Sequence, residues 1–279
     1  MENDFALTLH DGLVLPPVGF GTYRLNGRKG AEIIKRAVKN GYRLLDSAFN
    51  YENEGALGAA VRDCGIPRSE LLITSKLPGR HQAYEEALST VEESLYRAGL
   101  DYYDLYLIHW PNPRENLYVE AWQALIEAKK RGLVRSIGVC NFLPEHLERL
   151  IKETETAPSI NQIELHPYFN QEPQRAFDKE HHIVTEAWSP LGRASQLLND
   201  PVITEIAAAH EKTVTQTILR WHVQLGVLPI PKASSDEHQK ENLDIFDFVL
   251  SKEEMGKINS LTRDDGRTFN QDPAVYEEF

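Results

Sequence analysis

Eight short apolar runs alternate with helix-forming segments along the chain, and this alternation constrains the fold more than any other feature of the sequence. The runs are VGFG, YRLLD, ELLITSK, YYDLYLIHW, VRSIGVCN, SINQIEL, HIVTEAWSP and VLPIPK. Strands that alternate with helices in this way indicate a parallel sheet. Eight such units in roughly 260 residues are what a closed barrel requires. We therefore predict an α/β fold, a (β/α)8 TIM barrel.

The intervening helices are predicted from their apolar periodicity and from the residues that end them. They are KGAEIIKRAVKNG, NEGALGAAVRDCG, AYEEALSTVEESLYRAG, VEAWQALIEAKKRG, LPEHLERLIKET, QEPQRAFDKEH, TVTQTILRWHVQLG and DEHQKENLDIF. Gly41, Gly99 and Gly132 are predicted helix stops. A longer insertion separates the seventh predicted strand from the helix that follows it.

The segment before the first unit, FALTLHDGLVLPP, has the pattern of a β-hairpin, since Asp11 and Gly12 separate two apolar runs. An open, doubly wound sheet is the main alternative. It would have fewer strands and a glycine-rich first turn, whereas Gly19 and Gly21 lack the third glycine of that fingerprint. Because no linker or low-complexity stretch interrupts the pattern, residues 1–279 are predicted to form a single domain.

Composition narrows the range of partners. The 279 residues are 41% hydrophobic and 26% charged, which is typical of a soluble globular protein, and the formal net charge is −12. This balance argues against nucleic acid or an anionic membrane as a partner. No apolar run reaches the roughly 18 residues of a membrane span, and no signal peptide is predicted. Cys64 and Cys140 form no CxxC motif, so a reducing, cytoplasmic location is expected.

Polar residues follow the predicted strands, where barrel enzymes place their active sites. They are Asp46, Lys76, His109, Asn141, Gln162 with Glu164, Trp188 with Ser189, and Lys232. Each has an ordinary structural interpretation on its own: such an aspartate often caps a helix, such a lysine is usually solvated, and such a histidine is usually a hydrogen-bonded core residue. Three successive strands that end in Asp, Lys and His indicate a shared site.

The stretch LLDSAFNYENE adds Tyr51 to this group, five residues after Asp46. A phenol has a pKa near 10, and a nearby ammonium such as that of Lys76 would lower it. Asp46 would be the counter-ion of Lys76, and His109 would hydrogen-bond the same substrate oxygen as Tyr51. These groups suit the protonation of a carbonyl oxygen. None of them can supply hydride, so such a reaction requires a nicotinamide cofactor.

The chain resembles the aldo-keto reductases, and within them the bacterial 2,5-diketo-D-gluconate reductase-like enzymes. The segments that carry the resemblance are GYRLLDSAFNYENE, SKL, DLYLIHWP, GLVRSIGVCNF, INQIELHP, EAWSPLG and IPKASSDEHQKENLDIFDF. The resemblance implies that Asp46, Tyr51, Lys76 and His109 form the catalytic tetrad, with Tyr51 as the proton donor. It also implies reduction of a small carbonyl compound, such as diketogluconate, methylglyoxal or another aldehyde, by a monomer that uses NADPH.

The same resemblance assigns the other site residues. For the cofactor, the carboxamide contacts are Asn141 and Gln162, with Cys140 beside them, and the ring that stacks on the nicotinamide is Trp188. The pyrophosphate contacts are Ser189, Pro190, Leu191 and Gly192, with Gly21, Thr22 and Tyr23 nearby. The adenosine contacts are Lys232, Ala233, Ser234, His238, Glu241 and Asn242. The candidate walls of the substrate pocket are Tyr23, Phe49, Leu77 and Trp110.

Three positions depart from the family pattern. Cys140 stands where a serine usually precedes the amide-binding asparagine, and KLPG replaces the usual KLW, so one aromatic wall is missing. His238 stands where relatives that prefer NADPH have an arginine, and it cannot form a bidentate clamp on a phosphate. We expect NADPH to be preferred and NADH to be usable, with the preference growing as the pH falls.

Three other functions are compatible with parts of the pattern. A barrel aldolase would use Lys76 as a Schiff base, but that chemistry needs a lysine without a close carboxylate. A redox-sensing or regulatory barrel would bind the cofactor with little turnover. Metal-dependent hydrolysis lacks a ligand motif, since His181 and His182 belong to no HExxH pattern.

Overall fold

The computed structural model describes residues 5–194 and 196–279. Ten strands lie in this part of the chain: β1 (Leu7–Thr8), β2 (Val14–Leu15), β3 (Phe20–Gly21), β4 (Leu44–Asp46), β5 (Leu72–Leu77), β6 (Tyr103–Ile108), β7 (Val134–Cys140), β8 (Ile160–Glu164), β9 (Val184–Trp188) and β10 (Leu228–Pro229). The α-helices there are α1 (Gly27–Lys39), α2 (Glu54–Asp63), α3 (Tyr84–Ala98), α4 (Tyr118–Lys130), α5 (Pro144–Thr154), α6 (Glu172–Glu180), α7 (Pro201–Ala209), α8 (Val214–Gln224), α9 (Asp236–Glu241) and α10 (Lys252–Asn259).

Strands β3 to β10 form one parallel sheet in which every strand pairs with its neighbours in the chain. Two backbone hydrogen bonds join the first strand region to the last, from Gly19 N to Pro229 O at 3.0 Å and from Gly21 N to Pro231 O at 3.1 Å. These bonds close the sheet on itself. The predicted (β/α)8 barrel is therefore confirmed.

The predicted N-terminal hairpin is also confirmed, with β1 antiparallel to β2. Its buried leucines, Leu9, Leu13 and Leu15, belong to the cluster that fills the barrel interior. That cluster includes Leu44 and Ile160, the first residues of β4 and β8. The hairpin thus covers the amino-terminal end of the barrel and leaves the carboxyl-terminal end for a site.

A larger apolar layer lies between the sheet and the surrounding helices. Its helices approach closely where side chains are small. At Gly58 of α2, an added Cβ would lie 1.6 Å from the carbonyl oxygen of Ala98 at the end of α3. The α2–α3 contact therefore depends on the absence of a side chain at Gly58.

Two helices were not predicted from the sequence. The helix α7 lies in the insertion, and its start carries an N-cap: Asp200 accepts a hydrogen bond from Val202 N, with Pro201 as the first helical residue. The helix α10 begins with a capping box formed by Ser251 and Glu254. Both signals are legible in the sequence.

Two predicted elements are shorter than expected. The helix α9 ends at Glu241 rather than continuing to Phe246, and side chains from α8 hold the following carbonyls: Gln216 donates to Asp244 O and Arg220 donates to Ile245 O. The strand β10 covers only Leu228–Pro229 of the predicted VLPIPK. Proline lacks the N–H that a sheet ladder needs, so Pro229 and Pro231 limit regular pairing.

Within the described residues, no helix has the length and apolar character needed to cross a membrane.

Candidate active site

A cavity of about 680 Å³ opens at the carboxyl-terminal ends of the barrel strands. Its walls include most of the residues that the sequence singled out. They are Gly21, Tyr23, Asp46, Tyr51, His109, Trp110, Asn141, Gln162, Trp188, Ser189, Pro190, Leu191 and Lys232, joined by Arg24, Asn50, Arg193, Ile230, Pro231, Gln271, Tyr276 and Glu278. The barrel thus brings residues from seven strand ends and from the C-terminal segment to one volume.

Lys76 and Asp46 form a buried ion pair beneath this cavity. Lys76 Nζ lies 2.7 Å from each Asp46 carboxylate oxygen and 2.8 Å from the Ser47 carbonyl oxygen. These contacts use the three donors of the ammonium. Burial acts to lower the pKa of Lys76, but Asp46, followed by Tyr51, outweighs burial and raises it. Lys76 therefore stays cationic, and it is not among the described residues that line the cavity, which disfavours a Schiff-base role.

Tyr51 ends a short 3₁₀ segment, Phe49–Tyr51, that follows β4. The side chain of Asn26 donates to the Tyr51 carbonyl oxygen at 2.9 Å and fixes this turn. The Tyr51 ring centroid lies 5.1 Å from Lys76 Nζ and 5.8 Å from the ring centroid of His109. Asp46, Tyr51, Lys76 and His109, here called the tetrad, are therefore assembled in one place.

The pKa of the Tyr51 phenol moves in the opposite direction from the sequence-based expectation. Burial is the largest influence and raises this pKa above the ordinary value. The Lys76 ammonium lowers it in part, and the Asp46 carboxylate raises it again. The lowering influence of Lys76 is therefore outweighed by burial and partly offset by Asp46. Tyr51 consequently keeps its proton at neutral pH, as a general acid must.

His109 is paired with a carboxylate from the end of the chain. Its Nδ1 atom lies 2.7 Å from Glu278 Oε1. The two atoms are in close polar contact, but Nδ1 makes no hydrogen bond of regular geometry with that oxygen. Burial acts to raise the pKa of Glu278, but His109 and the hydrogen bonds from Gly79 N and Asn50 outweigh it, and the net shift is downward.

The tetrad is flanked by three polar residues, Asn141, Gln162 and Glu186. Asn141 donates to His109 O at 3.0 Å and accepts from Trp188 Nε1 at 2.8 Å. Gln162 Nε2 lies 2.9 Å from Asp46 Oδ2 and 2.8 Å from Glu186 Oε2. Burial, followed by the Asp46 charge, raises the pKa of Glu186. The Asn141 amide can make further hydrogen bonds beyond these two, so it can also contact a ligand in the cavity.

The rim of the cavity carries positive charge although the whole chain is acidic. Arg24, Arg193 and Lys232 line it, and the guanidinium carbon of Arg193 lies 3.8 Å from the Phe269 ring centroid. Cationic groups suit phosphate oxygens, and the flat ring of Trp188 with the Asn141 and Gln162 amides suits a planar carboxamide ring. The residues present therefore fit a nicotinamide dinucleotide.

Several predicted ligand contacts lie outside the cavity. Thr22 is buried and donates to the Asp46 carbonyl oxygen at 2.8 Å. Cys140 points into the barrel core, where burial raises the pKa of its thiol. The Phe49 ring packs on His81 and on the Arg97 guanidinium rather than on the cavity. Leu77 belongs to the outer apolar layer. Gly192 is buried, with a φ of 55° in the loop after β9.

The predicted adenosine contacts lie before α9, on it and directly after it, beyond the cavity wall at Lys232. Ala233 and Asn242 are buried, Ser234 and His238 are exposed, and Glu241 accepts a hydrogen bond from Thr213 at 2.5 Å.

Two candidate functional residues were not predicted from the sequence. Arg36 of α1 donates to the Ser234 carbonyl oxygen and so places a cation beside the expected adenosine end. Glu278 lies in an acidic C-terminal stretch that has the pattern of a solvated tail, and no local signal connects it with His109. Among the described residues, no group of three or more His, Cys, Asp or Glu could hold a metal ion.

Comparisons with known proteins agree with this geometry. The model of the Aldo/keto reductase family matches residues 17–263. A 2,5-diketo-D-gluconic acid reductase B from a Corynebacterium species is 47% identical over 278 residues, which cover 100% of both chains. A glyoxal reductase from Bacillus subtilis is 45% identical, covering 97% of this chain and 98% of its own. A crystal structure of a Gox0644 variant in complex with NADPH superposes with a TM-score of 0.93 at 42% identity, covering 98% of each chain.

Proposed function

Because this chain belongs to the aldo/keto reductase family, we propose that it reduces aldehyde and ketone carbonyls to alcohols, with Tyr51 as the general acid. The observation that carries this proposal is the convergence of the tetrad at one cavity. A neutral phenol, a cationic lysine behind it and a histidine beside it form an arrangement that can bind and protonate a carbonyl oxygen.

Each member of the tetrad has a distinct role in this proposal. Tyr51 gives its proton to the carbonyl oxygen, because burial keeps the phenol protonated at neutral pH. Lys76 stabilises the phenolate that remains, and Asp46 holds Lys76 in place. His109, whose ring centroid lies 5.8 Å from that of Tyr51, binds the same oxygen. The reaction therefore needs all four groups at fixed distances.

The cofactor of this reaction is NADPH, which supplies the hydride that no side chain of the tetrad can supply. The NADPH complex of Gox0644 supports this choice, as does the cationic rim of Arg24, Arg193 and Lys232. Lys232 at the cavity wall and Arg36 beside Ser234 place cations at the expected adenosine end. Relatives that prefer NADPH have a lysine, a serine and an arginine at the positions of Lys232, Ala233 and His238, so this chain keeps only the lysine of that set. We therefore propose that NADPH is preferred and NADH remains usable.

Small carbonyl compounds are the proposed substrates. Relatives named for diketogluconate and glyoxal reduction support 2,5-diketo-D-gluconate, methylglyoxal and other small aldehydes as candidates. Trp110 and Tyr276, whose ring centroids are 4.4 Å apart, narrow the cavity on one side. A compact substrate therefore fits the space beside the tetrad better than a bulky one.

We also propose that residues 1–279 form a single barrel domain that acts as a cytoplasmic monomer. The match of the family model to residues 17–263 supports the single domain. Cys64 and Cys140 are both buried free thiols, which suits a reducing compartment.

The test is one panel of carbonyl compounds (diketogluconate, methylglyoxal and an aromatic aldehyde), each assayed with NADPH and with NADH at pH 6 and pH 8. We expect many turnovers per enzyme molecule, and a kcat/KM ratio that favours NADPH more strongly at pH 6 than at pH 8. Cofactor binding without turnover on any member of the panel would support a regulatory barrel instead. A strict NADPH requirement at both pH values would indicate that a cation such as Arg36 replaces the missing arginine.

A further inference from the structure

We propose that Glu54 is a positioning residue that holds the Tyr51 hydroxyl in place relative to the Lys76 ammonium. This inference rests on the proposed carbonyl reduction and concerns the same site. Glu54 is the first residue of α2 and follows Tyr51 by three positions. It is buried, and it is not among the described residues that line the cavity. Its effect on the reaction therefore passes through the residues that it holds.

The Glu54 carboxylate joins the start of α2 to three other elements. Its Oε1 atom accepts a hydrogen bond from Ser75 Oγ of β5 at 2.6 Å. The same oxygen accepts from Ser94 Oγ of α3 and lies 3.3 Å from the Tyr103 hydroxyl of β6. Ser75, Ser94 and Tyr103 are all wholly buried. These bonds fix α2 at the residue where the chain leaves the active site.

Ser75 directly precedes Lys76 in β5. Successive side chains of a strand point to opposite faces of the sheet, so Lys76 reaches Asp46 inside the barrel while Ser75 faces the helices. The hydrogen bond between Ser75 and Glu54 therefore ties the segment that carries Tyr51 to the strand position beside Lys76. Slack in this bond would move the phenol relative to the ammonium.

The neighbouring residue, Asn53, holds the same segment from its other sides. Its side chain accepts from Ser47 Oγ at 2.6 Å and donates to the Thr22 carbonyl oxygen at 2.7 Å. Ser47 directly follows β4, and Thr22 directly follows β3. Asn53 thus anchors the segment on the β3 and β4 sides, and the Glu54 carboxylate anchors it on the β5 side.

A carboxyl group at this position is unfavourable unless its hydrogen bonds are needed. Burial is the largest influence on the pKa of Glu54 and raises it, whereas the hydrogen bonds from Ser75 and Ser94 lower it in part. The second carboxyl oxygen, Oε2, is buried without a hydrogen-bond partner in the described part of the chain. An apolar side chain would fill the space without this cost. What the carboxyl group adds here is the link to β5.

The first test compares two serine variants that each remove one hydroxyl from the same Glu54 oxygen. Ser75→Ala breaks the link to β5, and Ser94→Ala breaks the link to α3. Both side chains are wholly buried, so we expect similar losses of thermal stability. Only Ser75→Ala should lower kcat, by about tenfold, because a displacement of 1 Å at a reacting group can cost about 10²-fold. The Kd of NADPH should be unchanged in both variants. Equal kcat values in the two variants would overturn the proposal, whether both fall or neither does.

The second test changes Glu54 itself and separates its role from a direct effect of Ser75 on Lys76. Glu54→Gln keeps an acceptor oxygen for Ser75 and should retain nearly the wild-type kcat. Glu54→Leu removes the acceptor and should lower kcat by about tenfold, with no further loss when Ser75→Ala is added. Multiplying losses in the double variant would show that Ser75 acts without Glu54. If Glu54→Leu failed to fold, the two serine variants would still decide the question.

The third test needs no turnover and so separates this inference from the proposed function. In protein labelled with ¹³Cζ-tyrosine, the resonance of Tyr51 is identified by its loss in Tyr51→Phe. Its chemical shift depends on the nearby Lys76 charge, so it should move in Ser75→Ala and stay in place in Ser94→Ala. An unmoved resonance in Ser75→Ala, or the same movement in both variants, would overturn the inference. If the wild type reduced no carbonyl compound, the proposed function would fail, and this resonance would still show whether Glu54 positions Tyr51.

Discussion

A single hydroxyl group decides whether the proposed site can protonate a substrate. Tyr51→Phe removes only that hydroxyl and leaves the aromatic contacts with Tyr23 and His109. Loss of a general acid lowers the rate by roughly 10²- to 10⁴-fold. We expect this loss in kcat, with unchanged NADPH affinity by fluorescence titration, and no loss in the exposed control Tyr96→Phe. A kcat near the wild-type value would show that another group donates the proton.

The buried Lys76 side chain contributes both to activity and to stability. Lys76→Met leaves the Asp46 carboxylate buried without its partner, which costs about 3–5 kcal/mol. Because the pKa of Lys76 is raised in the folded protein, the ion pair stabilises fully below the ordinary pKa of 10.5 and is lost only as the pH rises above it. Urea unfolding at pH 7 should therefore show the full loss.

The same variant should alter the pH profile of reduction. Without the ammonium, the influence that lowers the pKa of Tyr51 disappears, so this pKa should rise further. We expect kcat to fall and any alkaline limb due to Tyr51 to move to higher pH. An unchanged stability together with an unchanged profile would contradict the role assigned to Lys76.

At the scale of elements, the packing of α2 on α3 depends on one glycine. A Cβ at Gly58 would lie 1.6 Å from Ala98 O, so Gly58→Ala must push the helices apart, and overpacking of this kind costs roughly 1–3 kcal/mol. Gly55, one turn earlier in the same helix, is the matched control, because a Cβ there meets Arg97 O at an ordinary 3.5 Å. Gly55→Ala should be neutral or stabilising by up to about 1 kcal/mol, owing to helix propensity. Equal unfolding free energies for the two variants would disprove the close approach.

At the scale of the whole molecule, the N-terminal hairpin closes the amino-terminal end of the barrel. Leu15 of β2 is wholly buried in the interior cluster, whereas its neighbour Val14 is 54% exposed. Leu15→Ala should lower the free energy of unfolding by about 2–5 kcal/mol. Val14→Ala, in the same two-residue strand, should change it by less than about 1 kcal/mol. If thermal and urea unfolding showed similar effects for both, the hairpin would not be part of the cooperative core.

The amino-acid sequence by itself determined the order of the elements and the positions of Asp46, Lys76 and His109 at strand ends. These features follow from apolar periodicity, turn residues and the register of a parallel barrel, all of which are short-range or repeat along the chain. The sequence also contains the local N-cap signals of α7 and α10, although neither helix was predicted.

Only the tertiary structure decided what depends on distance between remote segments. The contact of Glu278 with His109, and that of Arg36 with Ser234, join residues far apart in the chain and leave no periodic or local signal. The direction of the Tyr51 pKa shift likewise required the folded protein. It is the balance between burial and two opposite charges, and no sequence pattern fixes how deeply a phenol is buried or how fully a lysine is neutralised.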